Sequence, residues 1–511
     1  MVESVDVSTS TLIRTVRPVP VRTRRPYTGP VDLRIRDGRI VDLAPELAPA
    51  PDDIVVDAEG RWAIPGLWDQ HAHMTWWAQS RSRLDVSSAR SAADVVALVA
   101  DHLERLDSPR RDSPILGFGF RPALWAAQPR VADLDGVSGD HPVILSSGDG
   151  HTGWLNSAAL RLLGLTPRTG AITETLWFSV QSAITELTSS TDDTDELVRA
   201  AVADAAARGV VGIVDFEFAG SISSWRRRFA MGIDDLRVRA TVYPAGLDDA
   251  VAESLRTGSE LDDRGLLAVG PLKIFADGSL NARTALCFEP YADADDLAHP
   301  RGEQIYTVDD LTALVRRGHR NGFAIALHAI GDRAVDVALS AFETTGAQGG
   351  IEHAQLIRPI DIPRMRALGV RASVQPAHLL DDQVVTRQCW PDRMDRCFAL
   401  RSLLRGGVDV ALGSDAPVSA LDPWVAMAAA VHRAAGDDEP WNVGESLTVG
   451  EALAASTDGQ PTLAVGGRGD VVLLDADPLR PAPTAAESAR RLPELPVAAT
   501  FVGGRITHSA L

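Results

Sequence analysis

Residues 63–76, AIPGLWDQHAHMTW, decide the fold, because an apolar run there leads directly into a pair of histidines. The run ends at Asp69, and His71 and His73 follow two positions apart. In an extended backbone, side chains at i and i+2 point to the same side, so both imidazoles can face one point. Two neutral imidazoles at the end of a buried strand suit a divalent transition metal such as zinc. The alternative is a chance pair, since His-x-His is also common in loops.

The composition is that of a globular enzyme. The 511 residues, 45% of them hydrophobic and 23% charged, fit one large domain with accessory parts. A net charge of -19 argues against nucleic acid or an anionic membrane as partner, because both require basic patches. Three cysteines are too few and too irregularly spaced for a disulfide framework. With no bilayer-length apolar run and no signal-peptide pattern at the N-terminus, the cytoplasm is the expected compartment.

Both ends of the chain have the pattern of short β-strands. Residues 1–62 contain alternating segments joined by Asp37-Gly38, and residues 465–511 contain a matching piece with Gly503-Gly504 as its turn. Each piece is too small to be stable alone. We therefore expect the two ends to join into one small β-sandwich.

The middle of the chain, residues 63–464, predicts an α/β fold of the (β/α)8 TIM-barrel type. Apolar runs alternate there with amphipathic helical segments, as in βα units around a parallel sheet. Eight runs are found, the number that a closed barrel requires. The predicted strands are 63–69, 209–218, 237–243, 266–277, 322–331, 349–354, 370–376 and 408–417.

One connection of this barrel is far too long. Roughly a hundred residues separate the first strand from the second, where a normal connection has fewer than about 15. We read about residues 78–200 as an insertion on the C-terminal face of the barrel. Such an insertion is placed to cover a substrate.

Six ionisable side chains fall within or at the ends of these strands, and barrel enzymes carry their chemistry at the C-terminal strand ends. They are His71, His73, Lys273, His328, His353 and Asp415. Each has an ordinary alternative when taken singly. His328 or His353 could be core histidines, and Asp415 could cap the following helix. Together the six positions favour a metal site.

Three interpretations of Lys273 are open. An ammonium group between Leu272 and Ile274 inside a barrel is costly without a partner. The amine could become neutral, or it could pair with Asp277. It could also react with carbon dioxide, giving an anionic carbamate that bridges two metal ions.

These motifs together resemble the amidohydrolase superfamily, and more closely its amidohydrolase family 3 group, which includes N-substituted formamide deformylases and exoenzyme-regulator-like proteins. The matching motifs are HAH at 71–73, KIFADGSLNARTA from 273, LHAIGDRAVDVAL around 328, IEHAQL around 353 and GSDAP around 415. The resemblance covers nearly the whole chain. It departs at VGGRGDVVLLD, where members usually carry a Gly-Lys-x-Ala-Asp turn.

The resemblance implies two zinc ions. One is held by His71, His73 and Asp415, the other by His328 and His353, and a carboxylated Lys273 bridges the pair. A zinc-bound hydroxide would attack a carbonyl, and Asp415 would act as the catalytic general base and acid. We therefore expect a hydrolase of a non-peptide amide-type C–N bond, in an N-acyl or N-formyl amine. Alternatives are hydrolysis of an ester, lactone or cyclic imide, a deaminase, or a non-catalytic regulatory barrel.

The partner expected is a small-molecule substrate. Candidate substrate-binding residues are His151, Trp154, Asn156 and Glu174 in the insertion and His378 after strand seven. The 11 tryptophans suggest a largely apolar pocket, although they could equally hold the insertion onto the barrel. Asp277 and Arg283 could contact the substrate, but we expect them to hold the loop after strand four. Barrels of this kind are often dimers, so a homodimer is a candidate assembly.

Overall fold

A computed structural model gives the fold and describes residues 10–22, 27–106, 113–173, 176, 177, 179, 180, 184, 191–218, 220–295, 297–435 and 438–511. Twenty-one strands lie in these described residues. They are β1 (Ser10–Pro18), β2 (Val31–Arg36), β3 (Arg39–Ala44), β4 (Asp53–Asp57), β5 (Trp62–Pro65), β6 (Leu67–Ala72), β7 (Leu84–Asp85), β8 (Ile115–Phe120), β9 (Val143–Ser147), β10 (Thr152–Leu155), β11 (Ile172–Thr173), β12 (Val210–Asp215), β13 (Arg237–Val242), β14 (Leu267–Phe275), β15 (Ile325–Ala329), β16 (Gly349–His353), β17 (Arg371–Val374), β18 (Val410–Leu412), β19 (Val471–Leu474), β20 (Val497–Val502) and β21 (Arg505–Ser509).

The helices of the described residues follow most of the barrel strands and also occur between strands of the insertion. They are α1 (Met74–Ser80), α2 (Ala92–Glu104), α3 (Val131–Ser138), α4 (Ser157–Leu162), α5 (Thr191–Ala207), α6 (Ser221–Ala230), α7 (Leu247–Ala252), α8 (Val308–Arg320), α9 (Asp332–Thr345), α10 (Asp361–Leu368), α11 (His378–Cys389), α12 (Leu400–Arg405), α13 (Pro423–His432), α14 (Val449–Ala455) and α15 (Ala485–Arg491). Among these helices, none combines the length and apolar character that crossing a bilayer requires.

The eight predicted barrel strands are confirmed as one parallel sheet. Its order is β6-β12-β13-β14-β15-β16-β17-β18, so chain order and spatial order agree. Strands such as β6, β12 and β15 are buried along their whole length, because helices cover the outside and side chains fill the inside. The architecture is therefore an α/β barrel.

The barrel closes where its first and last strands meet. The backbone N–H of Asp415 donates to the carbonyl of His71 at 2.6 Å, and the N–H of His73 donates to the carbonyl of Ala416 at 2.9 Å. Gly413 permits this approach, because a Cβ there would lie 2.7 Å from the backbone nitrogen of His71. The residues that close the barrel thus include three of the predicted metal ligands.

Strands from both chain ends share a second sheet, of order β21-β20-β19-β5-β1-β2-β3 with β4 paired to β1. Trp62–Pro65 pairs antiparallel with Val471–Leu474, so residues predicted to begin the first barrel strand belong to this terminal sheet instead. The barrel strand begins after Gly66, at Leu67. The turn at Asp37 and Gly38 has φ values of 49° and 72°, as an Asp-Gly hairpin turn requires.

The insertion carries a third sheet, of order β11-β10-β9-β8-β7. Its side chains pack into two apolar clusters, one around Phe120 and Trp154 and the other around Ile144 and Trp177. The loops after β8 and β9 reach the C-terminal end of the barrel, where Arg121 and His151 line the pocket described below.

Candidate metal centre

His71, His73 and Asp415 meet where the barrel closes. Oδ1 of Asp415 lies 3.5 Å from Nε2 of His71 and 3.3 Å from Nε2 of His73. All three residues are buried, and one ligand atom from each lies within 4.8 Å of the others. Stacking of His71 on Phe216, with 4.1 Å between ring centroids, and of His73 on Phe218 orients the two imidazoles. These three side chains therefore form one candidate metal site.

Two of the strand-end residues have an unusual backbone. His353 and Asp415 have φ values of 70° and 56°, in the left-handed region that residues with a side chain avoid. Such a conformation costs about 1–3 kcal/mol and persists where the surrounding structure imposes it, commonly at functional sites. Both residues lie beside the other histidines, so this local cost is consistent with a site built for chemistry.

Three more histidines line the opposite side of the cluster. The ring centroids of His328 and His353 are 4.5 Å apart, and those of His353 and His378 are 6.3 Å apart. Nε2 of His328 donates to the carbonyl of Gly278 at 3.0 Å, which leaves Nδ1 buried without a partner among the described residues. Nε2 of His378 is likewise buried and unpartnered, 4.0 Å from Oδ2 of Asp415. His353, His378 and Asp415 form a second group with metal-binding spacing.

Lys273 is buried at the centre of this arrangement. Its Nζ lies 3.5 Å from Nε2 of His71 and over the rings of Phe216 and Phe275. Burial lowers its pKa to about 8, although the charges of Glu352 and Asp415 act in the opposite direction. A lowered pKa enlarges the fraction of neutral amine, the form that reacts with carbon dioxide.

The predicted alternative of a Lys273–Asp277 pair does not fit these contacts. The carboxylate of Asp277 accepts hydrogen bonds from the backbone N–H groups of Leu286, Ile330 and Gly331 and lies 3.5 Å from Nε2 of His328. Asp277 thus fastens the loops after β14 and β15. Two interpretations of Lys273 therefore remain, a neutral amine and a carbamate.

Glu352 is a member of the cluster that sequence reasoning missed. Its Oε2 lies 2.6 Å from Nδ1 of His71, and its side chain is buried. Burial raises the pKa of Glu352 to about 7, against the lowering effect of Lys273. The available signal was its position next to His353 at the end of a predicted strand, in the IEH motif.

The chemistry of this donor set fits divalent transition-metal ions. Burial, reinforced by neighbouring cationic groups, lowers the pKa of His71, His328 and His353 well below the usual value, so the rings are neutral. Neutral imidazole is the form that ligates a metal. The buried Nδ1 of His328, which has no hydrogen-bond partner among the described residues, is costly unless an ion uses its lone pair.

A pocket opens above the cluster and is lined by both apolar and polar side chains, as small-molecule sites usually are. Its apolar wall comes from both the barrel and the insertion, and consists of Trp76, Phe120, Pro122, Ala123, Phe218, Phe275, Leu280, Ile330 and Val418. His151 and His378 line it, as expected of substrate contacts. Glu174 lies outside the described residues.

Trp154 and Asn156, also predicted to contact substrate, do not reach the pocket. Trp154 is fully buried in the core of the insertion, and its Nε1 donates to the carbonyl of Arg130. Asn156 is fully buried and caps α4 by accepting from the N–H of Ala159. Both hold the insertion together: Trp154 fills an apolar cluster, and Asn156 supplies the side chain that caps the first turn of α4. Their predicted role is corrected to a structural one.

The outer wall of the pocket carries charged residues that the sequence did not reveal. Nη2 of Arg121 lies 2.8 Å from Oδ2 of Asp381. Asp382 accepts hydrogen bonds from Asn281 and Gln355, and burial raises its pKa to about 6. Arg121 and the two aspartates come from different parts of the chain, so no local pattern could have joined them. Arg283 bonds Asp293 and two backbone carbonyls, the expected loop-holding role.

The chain is similar to proteins of one family along nearly its whole length. The sequence profile described as the amidohydrolase family matches residues 54–508. The putative amidohydrolase YtcJ of Bacillus subtilis (strain 168) is 26% identical over 500 residues, covering 90% of this chain and 91% of that protein. The N-substituted formamide deformylase of Arthrobacter pascens is 26% identical over 535 residues, covering 93% and 94%. The crystal structure of an uncharacterized metal-dependent hydrolase from Pyrococcus horikoshii OT3 gives a TM-score of 0.75 at 25% identity, covering 93% and 99%.

Proposed function

Because this chain belongs to the amidohydrolase family, we propose that it is a metal-dependent hydrolase of the amide-type C–N bond in N-acyl or N-formyl amines. The observation that carries the proposal is the convergence of five strand-end groups and Lys273 at the floor of one partly apolar pocket. The similarity to a protein named N-substituted formamide deformylase supports the choice of bond.

The ligands proposed follow the geometry of the cluster. His71, His73 and Asp415 would hold one zinc ion, and His328 and His353 the other, with a carboxylated Lys273 between them. A bound pair of divalent ions supplies a water of lowered pKa and polarises a carbonyl. The roles of all six residues are part of the proposal.

Asp415 is the group best placed to move a proton. Its two oxygens face different ligands, Oδ1 towards His71 and His73 and Oδ2 towards His378. Its pKa is lowered despite burial, because His73 bonds it and nearby cationic groups stabilise its charge. An ionised carboxylate can accept the proton of the attacking water and return it to the departing nitrogen.

His151 and His378 are proposed to orient the substrate. Both line the pocket above the cluster, and the buried Nε2 of His378 is available to the substrate carbonyl. The rings of Trp76 and Phe218 beside them form an apolar wall that limits water around the scissile bond.

We extend the proposal to the remaining parts of the chain. The terminal sheet would correspond to the split β-sandwich of the family, and the insertion would select the substrate. The acidic net charge of -19 supports a small molecule, and no nucleic acid or membrane, as partner. We also propose that the protein is cytoplasmic and forms a homodimer.

Metal analysis combined with a substrate screen tests the function. We expect two zinc equivalents per chain and turnover of N-formyl and N-acyl amines, with Asp415→Asn as the inactive control. Preferential turnover of esters, lactones, cyclic imides or aminated heterocycles would move the chain to another reaction of the same scaffold. A pure protein that retains no metal after zinc loading and hydrolyses none of these compounds would instead support the regulatory alternative.

A further inference from the structure

We propose that the pocket selects N-acyl amines that carry no carboxylate, neutral or cationic, and discriminates against N-acyl amino acids. This inference rests on the proposed amide hydrolysis and names the substrate class within it. It follows from the charges on the outer wall of the pocket, beyond the histidine cluster.

Arg121, the arginine of this outer wall, already pairs with a carboxylate. Of the described residues that line the pocket, Arg121 is the only arginine and Lys273 the only lysine. Lys273 lies on the floor, 3.5 Å from His71, whereas Arg121 lies on the wall with its guanidinium 2.8 Å from Asp381. Because Asp381 already pairs with Arg121, a substrate carboxylate that approaches this guanidinium must also approach the carboxylate of Asp381.

The acidic residues of the wall outnumber this arginine. Asp149, Asp381 and Asp382 all line the pocket. Asp149 is held by the hydroxyl of Ser147 and the backbone N–H of His151, and Asp382 by Asn281 and Gln355. Their polar partners fix both carboxylates in place without adding positive charge.

The stretch 174–190 cannot supply the missing cation. Most of it lies outside the described residues, but its sequence, ETLWFSVQSAITELTSS, contains two glutamates and neither lysine nor arginine. The same stretch contained the predicted substrate contact Glu174. Whatever its placement, it adds only negative formal charge.

A carboxylate on the substrate is therefore opposed twice. The wall carries three carboxylates against one guanidinium, so a substrate carboxylate meets a net negative charge there, and any contact that it makes with Arg121 competes with the Arg121–Asp381 ion pair. Like charges brought together at a binding site, and a charge pair broken, both reduce binding, which is how a site rejects a competing ligand. An uncharged group or an ammonium group meets neither obstacle.

Three matched compounds test the inference on zinc-loaded protein: N-formylphenethylamine, N-formylphenylalanine and N-formylphenylalaninamide. The amide has nearly the size of the acid without its charge. We expect kcat/KM for the two uncharged compounds to exceed that of the acid by at least about tenfold. An acid turned over as well as the amide would overturn the inference while leaving the proposed function standing. No turnover of any compound would reject the proposed function and the inference with it.

Asp381→Asn distinguishes charge from shape. Freeing Arg121 should narrow the amide-to-acid ratio of kcat/KM severalfold, mainly through KM of the acid, whereas Arg121→Gln should keep or widen it. The ratio should also shrink between about 0.05 M and about 0.5 M NaCl, because screening weakens interactions among partly exposed charges. Ratios that respond to neither the variants nor salt would show that the charges of the wall do not select the substrate. Circular dichroism of both variants checks that they fold.

Discussion

Nδ1 of His71 lies 2.6 Å from Oε2 of Glu352, so a buried carboxylate holds the first histidine of the cluster from behind. With Nδ1–H donating to this oxygen, the lone pair of the ring is on Nε2, the atom that faces Asp415 and Lys273. A carboxylate behind a ligating histidine fixes its tautomer and raises its basicity. Glu352 is therefore a positioning residue for the proposed site.

Glu352→Gln should weaken zinc binding by about 10- to 100-fold, because the neutral amide does not stabilise the donating ring as a carboxylate does. Competition with a chromophoric chelator measures this affinity directly. Glu46→Gln, an exposed substitution of the same kind, is the matched control and should leave the affinity unchanged. Equal affinities in the two variants would contradict the positioning role.

Asp415→Asn should reduce kcat by at least about 100-fold, since an amide cannot accept the proton of the attacking water. Its carbonyl oxygen can still reach the ion, so zinc content should stay close to that of the parent protein. Steady-state kinetics and elemental analysis of the same preparation measure kcat and zinc content, respectively. A variant with most of its activity would show that Asp415 does not move the proton.

Gly413→Ala should disturb the site through the backbone. A Cβ at this position would lie 2.7 Å from the nitrogen of His71 and 3.0 Å from Oδ1 of Asp69, so β18 must move away from β6. Overpacking of this kind costs about 1–3 kcal/mol, and we expect a lower thermal midpoint together with weaker zinc binding. Gly444→Ala, which meets no atom within 4 Å, is the control. If both variants behaved alike, closure at Gly413 would not be critical.

Removal of the metal should lower stability as well as abolish activity. A ligand that binds only the folded state stabilises it by about 2.7 kcal/mol at a concentration of 100 Kd. The thermal midpoint should therefore fall on chelation and recover when zinc is added back. The Asp415→Asn variant, which is inactive but expected to bind zinc, should show the same fall. An unchanged midpoint in both proteins would argue against a structural contribution of the ions.

Asp382 should make stability depend on pH. Burial raises its pKa to about 6 in the folded chain, from an ordinary value of 3.8. In that window the folded state binds more protons than the unfolded state, so stability falls as pH rises. From pH 5 to pH 7.5 the parent protein should lose about 1 kcal/mol relative to Asp382→Asn. Urea unfolding of the chelated proteins at both pH values measures the difference, and an opposite trend would mean that Asp382 is stabilised as the anion.

The sequence was most informative where a signal is local. All eight barrel strands and the strand-end histidines follow from apolar runs and short motifs, because strand ends in a parallel barrel meet by topology. The sequence was least informative about contacts between residues that lie far apart along the chain. Glu352 against His71 and Arg121 against Asp381 join residues far apart in sequence, and no periodicity connects them.

The insertion shows most clearly which side-chain roles the sequence does not reveal. Trp154 and Asn156 stand in a Gly-rich segment that looks functional, yet one fills a small core and the other caps a helix. Polar side chains beside a turn can bond the backbone instead of a ligand, and the sequence alone does not separate the two roles. His151, three residues before Trp154 and five before Asn156, lines the pocket because it lies in the loop between β9 and β10.

The pairing of Trp62–Pro65 with Val471–Leu474 has a consequence for biosynthesis. The second segment leaves the ribosome roughly 400 residues after the first, which at about 5–20 residues per second is on the order of half a minute. Throughout that time one edge of the apolar segment beside the barrel has no strand to cover it, and an uncovered edge invites aggregation. The edge of Trp62–Pro65 is thus covered only when the nascent chain is complete. A product truncated before Val471 would keep this edge exposed to chaperones and proteases.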